Sequence, residues 1–258
     1  MKLLTASCLA LPLYSCNVVP AVDVMPLYGS YSVGGEIGAS TGGTPAINQK
    51  LSDIGIDGSE GGFGGRASIE WLNFMLAVSG FQADYSGTGT TTADISFDDQ
   101  TITVGTDVNS RLDLSYLDAT LTFDVFPGDT FDIGLGLGVA ALDLKLDVAD
   151  TANTTQLNGD ETIPLPELAL RGAVNLGRFG IFGNLGWISG KYDDFDGQLL
   201  DIDLHGRVRI FGSGDRFLGH AALGYRYVDT DFEFNDGSDQ VKADLDISGP
   251  YLGLNFSF

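Results

Sequence analysis

The chain closes with Gly249-Pro-Tyr-Leu-Gly-Leu-Asn-Phe-Ser-Phe258, and the period of this stretch decides the fold. Leu252, Leu254, Phe256 and Phe258 fall on one face of a strand, and Tyr251, Gly253, Asn255 and Ser257 on the other. Chain ends of soluble domains usually fray into water, so an apolar row running to a terminal Phe is out of place there. The row suits a strand whose outer face meets lipid and whose last aromatic sits at the membrane interface.

The same alternation recurs upstream. Phe63, Gly65, Ala67, Ile69 and Trp71 oppose Arg66, Ser68 and Glu70; Leu117, Ala119, Leu121, Phe123 and Val125 oppose Asp118, Thr120, Thr122 and Asp124. Phe131 to Val139 is the cleanest period-2 segment, with Asp132 and three glycines on its second face. Its phase slips near Ala140-Ala141, and a similar slip follows Tyr116; both read as β-bulges. In the first strand Leu27 to Ile37 supply the apolar row, which leaves Glu36 on the polar one. Short turns near 73, 128, 178 and 213 alternate with longer connections near 50, 98, 156, 195 and 237.

These features predict an all-β fold, a transmembrane up-and-down antiparallel β-barrel of about ten strands with a polar, filled lumen. Eight or twelve strands remain open if the slipped segments divide differently. A length of 258 residues with 36 glycines and a net charge of −22 fits one glycine-rich barrel and argues against nucleic-acid binding, which needs clustered Lys and Arg. Apart from the N-terminus, no stretch approaches the roughly 18 apolar residues of a spanning helix.

The closing segment resembles the last strand of bacterial outer-membrane β-barrels, whose terminal Phe is part of the signal read by the insertion machinery. By architecture the chain is similar to the broad OmpA-like and OmpW-like group. That resemblance implies a monomer in the outer membrane of a Gram-negative cell, with lipid and lipopolysaccharide as surroundings. Residues 1–21 read as a signal peptide and 22–258 as a single barrel domain: Lys2, the apolar run Leu3 to Leu13, and small residues Val19 and Ala21 before a cleavage site. Leu13-Tyr-Ser-Cys16 resembles a lipobox and is the competing cut, although Tyr14 is bulky for that pattern. Cys8 and Cys16 are the only cysteines, so cleavage after Ala21 leaves no disulfide.

Arg66, Glu70, Glu167, Arg171, Asp201, Asp203, His205, Arg207, Arg209, His220 and Arg226 oppose the apolar rows and form the expected lumenal charge network. Extrapolation from the turn at 212–215 sets Arg207 opposite His220 and Asp201 opposite Arg226. A packed polar plug is the reading, and a narrow path for small solutes or ions the alternative. Trp71, Phe131, Phe179, Phe217, Tyr225, Tyr227, Phe256 and Phe258 read as membrane-interface aromatics.

Asp203-Leu-His205 sets a carboxylate and an imidazole on one strand face, the pairing a general base needs. It resembles the Asp/His pair of the omptin proteases over three residues, without the rest of that signature. The pair is assigned to the lumenal network, and no residue is assigned as catalytic; Ser189 and Ser213 form no visible partnership with a histidine. Asp clusters at 98–99, 193–196 and 229–239 lack the alternating ligands of a calcium loop, since Tyr192 stands where the first Asp is needed. No metal site or cofactor is expected. The acidic loops read as solvated surface that divalent cations bridge to lipopolysaccharide. The expected role is structural or surface-interacting, with a narrow channel or a barrel enzyme using Asp203 and His205 as alternatives.

Overall fold

The computed structural model describes residues 20–40, 48–97, 100–152, 155–192, 195–212, 217–236 and 239–258. The signal segment with Cys8 and Cys16, most of the turn containing Ser213, and Asp98, Asp99, Asp193 and Asp194 lie outside them. Ten long strands run antiparallel: β1 (Ala21–Ser40), β3 (Ser59–Trp71), β4 (Phe74–Thr90), β7 (Asp107–Phe126), β8 (Phe131–Asp150), β9 (Gln156–Leu176), β10 (Phe179–Tyr192), β11 (Phe195–Phe211), β12 (Leu218–Asp236) and β13 (Asp239–Ser257). Each pairs with its sequence neighbour among these ten, and β13 pairs with β1 from Asp23↔Ser257 to Ser40↔Gln240, closing the ring. Two short pieces, β2 (Gln49–Lys50) and a 3-10 turn (Leu51–Ile54), fill the first long connection, and a hairpin of β5 (Ile95–Phe97) and β6 (Gln100–Ile102) the second.

Crossing the hydrocarbon takes a tilted strand about 9–11 residues, yet β8 has 20. The outward row of β8 explains the excess. Phe131, Leu135, Leu137 and Val139 are exposed and apolar, whereas Asp143, Lys145 and Asp147 continue the same row beyond Ala141. On β7 the outward row changes in the same way, from Val125, Phe123, Leu121 and Leu117 to Ser115, Asp113 and Arg111. One end of the barrel, the end with short turns, therefore wears an apolar belt. The other end stands clear of it in water.

The inward rows invert at the same level. Within the belt they carry Asp118, Thr122, Asp124 and Arg171; beyond it they carry Leu112, Leu114, Leu142 and Val148, all buried. The two phase slips are thus no bulges. Pairing of β7 with β8 runs unbroken from Val108↔Asp150 to Asp124↔Gly134, and its irregularity lies between Asp124 and Phe126. What changes at Tyr116/Leu117 and Ala140/Ala141 is the solvent outside the wall, so the apolar residues move from the outer to the inner row.

Three further expectations are corrected. The interior is polar only inside the belt; above it lies an apolar core that includes Tyr85, Val108, Phe232 and Leu245. In β1 it is Tyr31 and Val33 that face inward, fully or nearly buried, while Glu36 pairs with the exposed Asp244 and faces out. The acidic stretch 229–239, expected as loop surface, is strand up to Asp236 and again from Asp239, the two residues being paired. The turns obey local stereochemistry: Gly177 takes φ +67 between β9 and β10, a conformation open to glycine without strain.

On this geometry Leu137→Arg, on the outward row in the belt, costs about 2–4 kcal/mol of folding stability in lipid vesicles, measured by urea unfolding. The parent barrel is expected to migrate on gels differently before and after boiling.

Candidate functional site

Among the described residues, charged side chains from most of the strands converge in the interior within the belt. Arg226 on β12 is the hub. Its Nε and one terminal nitrogen donate to the two oxygens of Asp201 on β11, at 3.1 and 2.5 Å, a bidentate geometry that suits guanidinium and carboxylate. Its other terminal nitrogen donates to Ser79 on β4 at 3.1 Å, and Ser79 Oγ lies 3.3 Å from Asp118 Oδ2. Tyr116 donates its hydroxyl to Asp201 at 2.9 Å, and its ring lies 4.6 Å from the Arg226 guanidinium carbon.

Asp203 is held separately. Arg66 reaches it across the lumen from β3 at 3.1 Å, and Tyr251 on β13 donates to its other oxygen at 2.5 Å. His205 Nδ1 stands 3.9 Å from Asp203 Oδ1, beyond hydrogen-bond range, while its ring stacks on Phe182 at 5.3 Å between centroids. Nearer the short-turn end Arg171 pairs with Asp124 and, at 2.8 Å, with Asp132. Glu167 lies buried opposite Gly138, and a Cβ at Gly186 would come 2.0 Å from its Oε2, so any larger residue there would displace the Glu167 carboxylate. Among the described residues no group of three or more His, Cys, Asp or Glu could hold a metal ion.

Of the eleven residues assigned to the charge network, Glu167, Arg171, Asp201, Asp203, His205, His220 and Arg226 are buried, and the eleven do not form one cluster. Arg209 donates to the carbonyl of Gly177 and Glu70 is exposed at the mouth. The register expected between β11 and β12 is shifted by two residues: Arg209 stands opposite His220, Arg207 opposite Ala222 and Asp203 opposite Arg226. Asp201 reaches Arg226 diagonally. Ser79, Tyr116 and Tyr251 were not singled out from the sequence. Tyr251 stood on the polar row of the closing strand and was legible; Tyr116 was hidden in an apolar row.

Of the aromatics, Trp71, Phe131, Phe179, Phe217 and Phe258 are exposed at the short-turn end, where Phe217 also packs against Phe256 and Phe258. Tyr225 is exposed near the far edge of the belt, beside the half-buried Tyr227.

Closed antiparallel topology, inverted faces and two aromatic edges occur together in one class of protein. This is the fold of an outer-membrane β-barrel. The outer membrane protease OmpT from Escherichia coli shares it with a TM-score of 0.58 at 9% sequence identity, covering 96% of this chain and 99% of that one. The transport unit of the autotransporter AIDA-I from Escherichia coli aligns at a TM-score of 0.42, and the translocator domain of NalP from Neisseria meningitidis at 0.38. No family model and no curated protein matches the chain.

Removing one partner of a buried ion pair strands the other's charge. Arg226→Ala therefore destabilises the barrel by about 3–5 kcal/mol and Arg207→Ala by much less, read from urea unfolding of both variants.

Proposed function

We propose that the protein is an integral outer-membrane barrel with a closed bore, serving a structural or surface-interaction role and carrying no catalytic activity. The reading is supported by two different sets of side chains that occupy the bore. Within the belt Arg226, Arg66 and Arg171 are paired with Asp201, Asp203 and Asp124 across the bore. Above it the first long connection packs into the mouth, with Leu51, Ile54 and Ile56 at 0–1% exposure and Gln49 clamping the backbone of Thr92 and Ala93. Between the two fillings lies a layer of rings, Tyr31 stacked on Phe81 at 4.2 Å and Phe81 on Tyr116 at 5.8 Å. Planar bilayers containing the pure protein are expected to show no stable conductance steps. Unitary steps in the parent protein favour the channel reading instead. The enzyme alternative rests on Asp203 and His205, and unchanged peptidase assays of parent and His205→Ala count against it.

The outer surface just above the belt supports a cation-bridged contact with lipopolysaccharide. Asp229 stands directly opposite Asp246, and Asp231 opposite Asp244, whose other neighbour is Glu36. Like charges opposed across strands repel, and divalent ions shared with anionic lipid relieve that repulsion. Partial burial raises the Asp244 carboxyl pKa, and Asp231, Asp246, Asp229 and Glu36 raise it further. A carboxyl with a raised folded-state pKa binds its proton more tightly folded than unfolded, so its contribution to stability falls as pH rises through that range. In chelator at neutral pH Asp244→Asn is expected to melt above the parent. The gap closes as pH falls into the carboxylate range, and also when Mg²⁺ is added at neutral pH. A parent Tm indifferent to chelator removes the bridging reading.

A further inference from the structure

Beneath the Arg66–Asp203–Tyr251 layer, towards the short-turn mouth, the bore opens into a cavity of about 120 Å³. A water occupies roughly 10–15 Å³ on this measure, so the space holds about eight to twelve water-sized groups, room for a molecule as small as an α-amino acid together with some water. Both signs of charge line it, and two of those charges are not consumed. Glu70, on the β3 side, is exposed at the mouth and has no hydrogen-bond or ion-pair partner within reach among the described residues, Arg171 acting on it only through space. Arg207, on the β11 side, is held only loosely. Its nearest carboxylate oxygen is Asp23 Oδ1 at 3.7 Å, its contact with Asn255 is 3.5 Å, and its flat face rests on Phe182 at 3.9 Å. That stacking fixes the plane of the guanidinium while leaving the donors on its edge unsaturated. Deeper in the wall the Nε of Arg171 and the Nδ1 of His205 are buried without a hydrogen-bond partner among the described residues.

The geometry points to a binding site for a small zwitterion of the α-amino-acid class, entered from the short-turn end. The ligand carboxylate docks on the edge of Arg207, and its ammonium is taken by Glu70. Singly charged molecules of the same size fill only half of this arrangement. The layer above blocks onward passage, so the site is a terminal pocket and not a step in a pore. In outer-membrane barrels the end with short turns faces the periplasm, where such molecules are met.

The test is titration of the folded barrel in lipid nanodiscs with L-alanine and D-alanine, read by saturation-transfer NMR, with acetate and ethylamine as singly charged controls. Saturable binding of alanine is expected, and both Glu70→Gln and Arg207→Gln weaken it roughly tenfold or more while retaining heat-modifiable migration. Ser68→Leu intrudes on the cavity without touching a charge and is expected to lose binding as well; it keeps the test decisive if a charge variant does not fold. Acetate binding as well as alanine, unchanged binding in the folded variants, or no saturable binding by the parent each overturns the assignment. None of these outcomes bears on conductance, so the closed-bore reading stands or falls separately.

Discussion

Hydrocarbon offers no hydrogen bonds, and this one property of the solvent orders the rest of the molecule. Every backbone N–H and C=O at membrane depth must find a partner in the protein. A sheet meets that demand only when it has no edge, which makes the pairing of β13 with β1 the decisive contact. It runs along nearly the whole of both strands, from Asp23↔Ser257 to Ser40↔Gln240. The first and last strands are thus forced together, and the C-terminal Phe258 comes to rest in an aromatic group with Phe217 at the membrane edge.

Closure also explains why the interior has two chemistries. In the belt the outer wall needs apolar residues, and alternation hands the inner wall to the polar ones. Once the strands leave the belt, water surrounds the outside and the hydrophobic effect acts as it does in a soluble barrel. Leu112, Leu114, Leu142 and Leu245 then gather inside, with Arg111, Asp113, Lys145 and Asp244 outside. No strand needs to change register for this. The rings of Tyr31, Phe81 and Tyr116 sit where the two regimes meet, and the Tyr116 hydroxyl belongs to the ion network while its ring belongs to the core. Tyr and Trp are suited to such boundaries because they join an apolar body to a polar tip.

Much of this was legible in the sequence, because a period of two is a local signal. The strand count, the short turns at Leu72-Asn73 and Gly177-Arg178, and the inward placement of Arg66, Asp203 and Arg226 all follow from which residues alternate. The inversion above the belt was not. A row reading Leu142, Leu144, Leu146 and Val148 looks the same whether lipid or a core receives it, and only the level of the membrane decides. In β1 the glycines and small polar residues leave both rows weakly marked, so Tyr31 and Val33 were assigned to the wrong side of the wall.

The register of β11 against β12 shows a deeper reason why local reading stops short. A slip of one residue turns every side chain to the opposite face and is forbidden by the hydrophobic pattern; a slip of two preserves both faces and is not. Two registers therefore satisfied alternation, and each brings Asp201 within reach of Arg226. They differ in what becomes of Asp203. In the observed register Asp203 stands opposite Arg226 but is taken by Arg66 from β3 and Tyr251 from β13, strands far from it in sequence. Tyr251 is supplied by the next hairpin of the meander, but Arg66 comes within reach only after the ring has closed. A buried ion pair gains little net stability over apolar packing, because desolvation consumes most of the attraction, whereas a buried charge left without its partner is costly. The network thus acts chiefly by penalising the alternative: sliding the hairpin by two residues moves Asp203 away from Arg66 and Tyr251 in the low-dielectric bore.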